Sequence, residues 1–203
     1  MVRKSRVEMI EETKRKLIAT ARQQFGTIGY VNTVMDDLTA KAGMTRGALY
    51  HHFGDKKGLF LAVLQQIDAE MNARLTEISR QEIDTWAAFT KRCHAYLKMA
   101  IEPEIQRIVL CDAPAILDAE WLQTARLQCI TSITSMLNTL MEEDQITSTS
   151  PEILARLING GLMDTALWIA KSQQPNTALF EALHALDMLL NGLKKASAED
   201  KSF

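Results

Sequence analysis

The stretch TRGALYHH, Thr45 to His52, gathers a hydroxyl, a guanidinium, a phenol and two imidazoles within about two helical turns. These groups donate hydrogen bonds more readily than they make or break covalent bonds. If Thr45 and Arg46 open a helix, they stand at the end that enters a DNA major groove. Arg46 could grip guanine with two parallel N–H bonds, worth about 1–3 kcal/mol of discrimination, or hold a phosphate instead. Gly47 has no side chain, so the backbone there can approach a base or phosphate closely. Tyr50, His51 and His52 lie one turn on and can donate to phosphate oxygens, contacts that fix register rather than sequence. One of the two histidines could equally be a packed residue. Neighbouring helical positions point about 100° apart, and no acidic or cysteine partner is near in sequence, so the histidine pair is not read as a metal site.

Bond-making chemistry finds little support elsewhere. The 203 residues hold no glycine-rich phosphate loop, no HExxH, no GxSxG and no paired-carboxylate motif. Cys93, Cys111 and Cys129 are widely spaced and form no CxxC, so neither a disulfide framework nor a zinc knuckle is expected. No cofactor is expected. The formal net charge of −2 conceals an asymmetry. Residues 1–58 carry 11 basic and 6 acidic side chains, whereas residues 59–203 carry 12 and 19. A basic end on an acidic body points to a polyanion at that end, or to a solvated basic face. The N-terminus lacks the apolar core of a secretory signal, and no uninterrupted apolar run has bilayer length. A cytoplasmic protein with no membrane partner is expected.

The elements that must position these groups read as helices throughout. Glycine and proline number only 9 and 4, which suits long helices joined by short loops. Ile18, Ala21, Phe25 and Ile28 give a one-faced helix over about 11–28, stopped by Gly29. Thr33 offers an oxygen to cap a short second helix, with Asp36 and Asp37 at its positive end. That helix ends at Ala42-Gly43, and Thr45 caps a third running to about Phe53. Two short helices so close together make a helix-turn-helix, with Leu38, Ala42, Leu49 and Phe53 as its core. Asp55 can cap a long fourth helix with the stripe Leu59, Phe60, Val63, Leu64, Ile67, Met71, Leu75 and Ile78. Later stripes run through Trp86, Phe89, Cys93, Tyr96 and Leu97, and through Leu122, Ala125, Cys129, Ile133, Met136 and Leu140. A short segment starts at Pro103, and Pro114 breaks or kinks the chain. A polar loop over 142–151 precedes two last helices at about 152–172 and 176–195, and a loose tail from Ser197.

Residues 29–59, GYVNTVMDDLTAKAGMTRGALYHHFGDKKGL, closely resemble the N-terminal signature of TetR-family regulators. The match covers about a quarter of the chain, at many fixed spacings; CDAPAIL further on resembles a recurring phrase of the family. The resemblance implies an all-α fold of about nine helices: a three-helix helix-turn-helix domain at 1–58, then a helical dimerisation and effector-binding domain at 59–203. It implies DNA contacts at Thr45, Arg46, Gly47, Tyr50 and His51, with Lys56 on a phosphate. Val34 stands where the family often has a hydroxyl, a role that falls to Thr33, and Thr39 stands where alanine is usual. Arg3, Lys4 and Arg6 resemble a basic arm.

The resemblance further implies a homodimeric repressor on a palindromic operator, released by a small-molecule effector of unknown identity. The dimer is expected through the last two helices, about 152–195. The last helix has a wider apolar arc than one neighbour needs, which reads as a subunit interface or as burial in its own core. Gly160 and Gly161 permit a close crossing. Pocket candidates are Trp86, His94, Met99, Cys111, Asp112, Trp121, Met136, Met163, Asp164 and Trp168. Asp164 sits among apolar neighbours, where a carboxylate needs a partner: a cationic or hydroxylated effector, or a group in the dimer. Asp112 could merely cap a turn. The alternatives are a helical interaction module that touches no DNA, for which replacing Arg46 or Tyr50 would be silent, and an enzyme using the helical-domain pocket.

Overall fold

The computed structural model describes residues 5–195, the side chain of Ala125 excepted. Arg3, Lys4 and the tail from Ser197 fall outside them. Nine α-helices are present among the described residues: α1 Arg6–Asn32, α2 Met35–Ala42, α3 Arg46–Phe53, α4 Lys56–Arg80, α5 Thr85–Met99, α6 Ala113–Ile116, α7 Ala119–Glu142, α8 Pro151–Lys171 and α9 Pro175–Asn191. A π-helical segment, Ile105–Asp112, lies between α5 and α6. Pairing of extended backbone is limited, among those residues, to an isolated bridge between Ile146 and Lys194. The fold is all-α.

Local chemistry sets most helix ends. Ser5 and Glu8 form a reciprocal capping box that starts α1 at Arg6, earlier than the stripe alone suggests, and Arg6 is therefore helical rather than part of an arm. Asp84, Asp118 and Ser150 cap α5, α7 and α8 through their side chains. Pro151 and Pro175 open α8 and α9, where a missing N–H costs nothing. Pro114 has the opposite effect. Its ring would clash with the carbonyl four residues back in an α-helix, and the chain ahead of it widens into π geometry, Ala113 N–H bonding Ile108 C=O.

The chain divides into two compact units. The first runs to Met71 and includes Pro103–Ile116; the second holds Asn72–Glu102 and resumes at Leu117. The division falls inside α4, beyond residue 58, and the first unit draws in a segment from the chain's second half.

In the first unit α1, α2 and α3 pack together over Leu17, Ala21, Phe25, Leu38 and Leu49, with Leu59, Phe60, Val63 and Leu64 of α4 also buried. The buried stripe of α1 is rotated from the expected one: Leu17 is buried, Ile18 half-buried, and Ile28 44% exposed. Phe25, Tyr30 and Phe60 stack edge-on and tilted, with centroids 5.1–5.7 Å apart. The segment 103–116 is knit to α1 by polar bonds. Arg22 lies in a fork between Glu104 and Glu70, four N···O contacts at 2.6–2.8 Å, which raises its basicity. Tyr30 N–H donates to Asp112 at 2.8 Å, and Arg107 donates to the Ile28 carbonyl at 3.3 Å. Gly29 (φ 80°) kinks α1 without ending it, and the Arg107 guanidinium fills the space a Cβ would need there.

In the second unit α5 packs against α7, α8 and α9. Phe89, Cys93, Leu97, Leu137, Leu140, Ala155, Ala166, Ile169 and Leu190 form the interior. The loop at 142–151 is tied down: Ile146 is buried, and Thr147 N–H donates to Leu193 C=O. α8 is also long and apolar enough, by length and composition alone, to cross a bilayer, although Arg156 and Asp164 interrupt its apolar run.

Candidate nucleic-acid interface

The turn between α2 and α3 is built from three local devices. Gly43 takes the left-handed conformation (φ 65°, ψ 33°) that ends α2, and Met44 N–H closes it on Thr39 C=O. Thr45 then caps α3, its Oγ1 accepting from Ala48 N–H at 3.2 Å. Leu49 is fully buried on the inner face, which turns Thr45, Arg46, Gly47, Tyr50 and His51 outward, all exposed. The five form one surface around the N-terminal half of α3, the end that suits major-groove entry.

Each side chain has a particular state. Arg46 is paired in bidentate fashion with Asp36 of α2, Nε and Nη2 each facing one carboxylate oxygen. A Cβ built on Gly47 would meet only Thr45 Oγ1, at an ordinary 3.8 Å. Among the described residues nothing therefore demands glycine at 47, and its bareness is available to something outside. His51 and His52 meet edge to face at 5.1 Å; His51 is exposed and His52 half-buried. Lys56 lies 4.5 Å above the Tyr30 ring and donates to the Val31 carbonyl at 3.3 Å, and partial burial lowers its basicity. Its ammonium is thus partly engaged at the start of α4.

Thr33 departs from expectation. It is 2% exposed, and its hydroxyl donates to Gly29 C=O. The residue preceding α2 is Val34, which makes no side-chain cap. Thr33 therefore serves the Gly29 kink and presents no hydroxyl outward. Thr39 is buried, its hydroxyl satisfied by the Met35 and Asp36 carbonyls.

The pocket candidates do not converge. Cys111 and Asp112 belong to the first unit, where Asp112 accepts from Tyr30. Asp164, exposed among the residues of α8, needs no buried partner, and Trp168 is 54% exposed and Met163 40%. These three lie outside any interior site. Trp86, His94, Trp121 and Met136 are half-buried in the second unit, and Met99 is buried. His94 shares a hydrogen bond with Asp187 of α9 at 2.7 Å, and Lys194 stands 4.7 Å over the Trp86 ring. Sequence reasoning missed Arg92, which reaches from α5 to Ser132 of α7 at 3.2 Å and is made less basic by burial. It also missed Asp36; an acid on α2 opposite an arginine that opens α3 was the available signal. Among the described residues no group of three or more His, Cys, Asp or Glu is placed to hold a metal ion.

A second exposed surface has different chemistry. Ile153, Leu157, Gly161, Asp164 and Trp168 line one face of α8 at helical spacing, all exposed. On α9, Phe180, Met188 and Leu189 are 67–74% exposed. Among the described residues, and apart from the adjoining backbone of α8 itself, nothing lies within 4 Å of a Cβ built on Gly161.

Known proteins place this arrangement in context. Residues 17–63 match the bacterial regulatory proteins of the tetR family, and residues 86–193 match the tetracyclin repressor-like C-terminal domain. The transposon Tn10 TetC protein of Escherichia coli is 28% identical over 165 residues, 79% of this chain and 81% of that protein. The HTH-type transcriptional repressor AcnR of Corynebacterium glutamicum is 29% identical over 112 residues, 54% of this chain and 56% of its own. A crystal structure of a TetR-family transcriptional regulator from Pectobacterium atrosepticum superposes with a TM-score of 0.85 at 46% identity, covering 95% of this chain and 99% of that one.

Proposed function

The chain belongs to the TetR family of DNA-binding transcriptional regulators, which are not enzymes, and from that premise we propose that it is a homodimeric repressor that binds a palindromic operator and releases it when a small molecule is bound. The observation that carries the reading is the outward cluster at the start of α3. Thr45, Arg46, Gly47, Tyr50 and His51 supply donors and a bare backbone at the helix end that enters the groove, and Lys56 adds a phosphate contact. The protein works in the cytoplasm, where the operator is.

Dimerisation through α8 and α9 is supported by their exposed apolar faces, which a second copy would cover. Two heads then meet successive major grooves about 34–36 Å apart. An effector that favours a misspaced dimer must lower operator affinity, because coupling is reciprocal. The unit that holds Asn72–Glu102 and resumes at Leu117 serves as the effector and dimerisation domain, and the unit that runs to Met71 and includes Pro103–Ile116 carries the DNA-binding helices. The half-buried Trp86, His94 and Met136, with Arg92, are the interior side chains that suit an effector with an apolar body and a polar handle. α4, shared by both units, and the segment 103–116, bonded to α1, are the two routes by which the effector domain would reach the head.

The test is binding of the purified protein to DNA from its own upstream region and to selected genomic fragments, across a salt series, beside an Arg46→Ala, Tyr50→Ala double variant. A two-half-site footprint that weakens with salt and is lost in the variant is the expected result. Equal binding by both proteins to all sequences would overturn it.

A further inference from the structure

We propose that Asp36 sets operator specificity by positioning Arg46: its carboxylate locks the guanidinium so that the free edge reads a guanine in the major groove. The inference rests on the reading that α3 meets operator DNA. A guanidinium carries five N–H bonds in one plane. Asp36 takes the side edge, one oxygen on Nε and the other on Nη2. What remains is the end edge, one N–H from each terminal nitrogen pointing in parallel. That pair is the fork that fits O6 and N7 of guanine.

Three further observations favour a base over a phosphate. Arg46 is the first residue of α3, so its free edge lies at the end that enters the groove. The pair with Asp36 is electrically neutral, which weakens attraction to a phosphate but leaves directional bonding to guanine intact. Both side chains are exposed, 61% for Arg46 and 54% for Asp36, so the pair stands on the surface that DNA would cover. Asp36 also lies in the first turn of α2, where a carboxylate favours the helix. Asp37, next to it, already supplies that effect.

The experiment uses the full-length protein as wild type, Asp36→Ala, Asp36→Asn and Arg46→Ala, all checked by thermal melting. Each is titrated against a selected operator and against operators in which each guanine of the half-site is replaced in turn. One guanine is expected whose replacement weakens the wild type about tenfold or more and leaves Arg46→Ala unaffected. Asp36→Ala should reduce that preference to about two- or threefold, hold or raise affinity for the replaced operator, and steepen the salt dependence by about one phosphate contact per head. Asp36→Asn, which keeps one acceptor oxygen, should fall between. If Asp36→Ala lowers affinity for every sequence alike and keeps the guanine preference, Asp36 only supports α2 and the proposal fails. If Arg46→Ala weakens all sequences equally and flattens the salt dependence, Arg46 holds a phosphate; the proposal then fails while operator binding by α3 stands. If Arg46→Ala binds every operator like the wild type, guanine preference included, α3 does not read DNA through this side chain and the proposal fails; if the wild type itself binds operator and unrelated DNA alike, the reading it rests on falls as well.

Discussion

The head at α2–α3 and the outer face of α8–α9 are both exposed, yet they are unfinished in different ways. The head presents Thr45, Arg46, Tyr50 and His51, groups that bond in fixed directions, around a bare Gly47. The other face presents Ile153, Leu157, Trp168, Phe180, Met188 and Leu189, which gain from contact with almost any apolar surface of the right shape. The first suits a partner chosen by geometry and charge, a nucleic acid. The second suits a permanent partner that excludes water over an area. Each surface also holds a glycine that the chain's own packing does not require, Gly47 in one and Gly161 in the other.

The sharpest way to break this contrast is to charge the apolar face. Leu157→Asp with Phe180→Asp should give a monomer by light scattering, and operator affinity should fall about a hundredfold or more, because one head alone lacks the linked second contact. A variant that stays dimeric would move the interface elsewhere. Next comes a glycine inside the first unit that packing does require. A Cβ at Gly58 would collide with the Phe53 carbonyl oxygen, so Gly58→Ala should cost about 2–3 kcal/mol in denaturant unfolding. Gly47→Ala should do the reverse: unchanged or slightly raised stability with operator binding weakened about tenfold. Equal loss of stability at 47 and 58 would erase the distinction.

The smallest effect is a control that touches neither surface. Burial pushes Asp68 of α4 up to about 6, against about 3.9 in an unfolded chain. Between about pH 4 and 6 the folded protein therefore keeps a proton that the unfolded chain has released. The stability this group contributes is present at low pH and is lost as pH rises through that window. Asp68→Asn should raise stability near pH 7.5 by about 1 kcal/mol and flatten its change between pH 4 and 6. Operator affinity and dimerisation should not move.

The head was legible in the sequence because its determinants are local. Gly43, Thr45 and the buried Leu49 act within one turn of where they stand, and helix, turn and outward face follow from their order. The packing elsewhere in both units was not, because there a residue's role depends on partners far along the chain. Asp112 reads locally as a turn cap or pocket residue, yet its partner is Tyr30, 82 residues away. Asp164 looks stranded among apolar neighbours, yet those neighbours lie on a helix whose outer side is open. In α1 the adjacent Leu17 and Ile18 fit the same period about equally, and only packing decides that Leu17 faces inward. Thr33 shows the same limit at short range: the kink at Gly29 turns a candidate cap into an internal donor.

The room for a side chain at Gly47 has a bearing on descent. Gly43 and Gly54, which flank α3, need positive φ, so other residues there strain the backbone. At Gly47 a side chain can be added with the core, the caps and the turn left as they are. Single-base changes in a glycine codon reach alanine, serine, aspartate or arginine, each of which would present a different group to the groove. After a gene duplication, this is a position where two copies can drift to different operators without first passing through a misfolded ancestor.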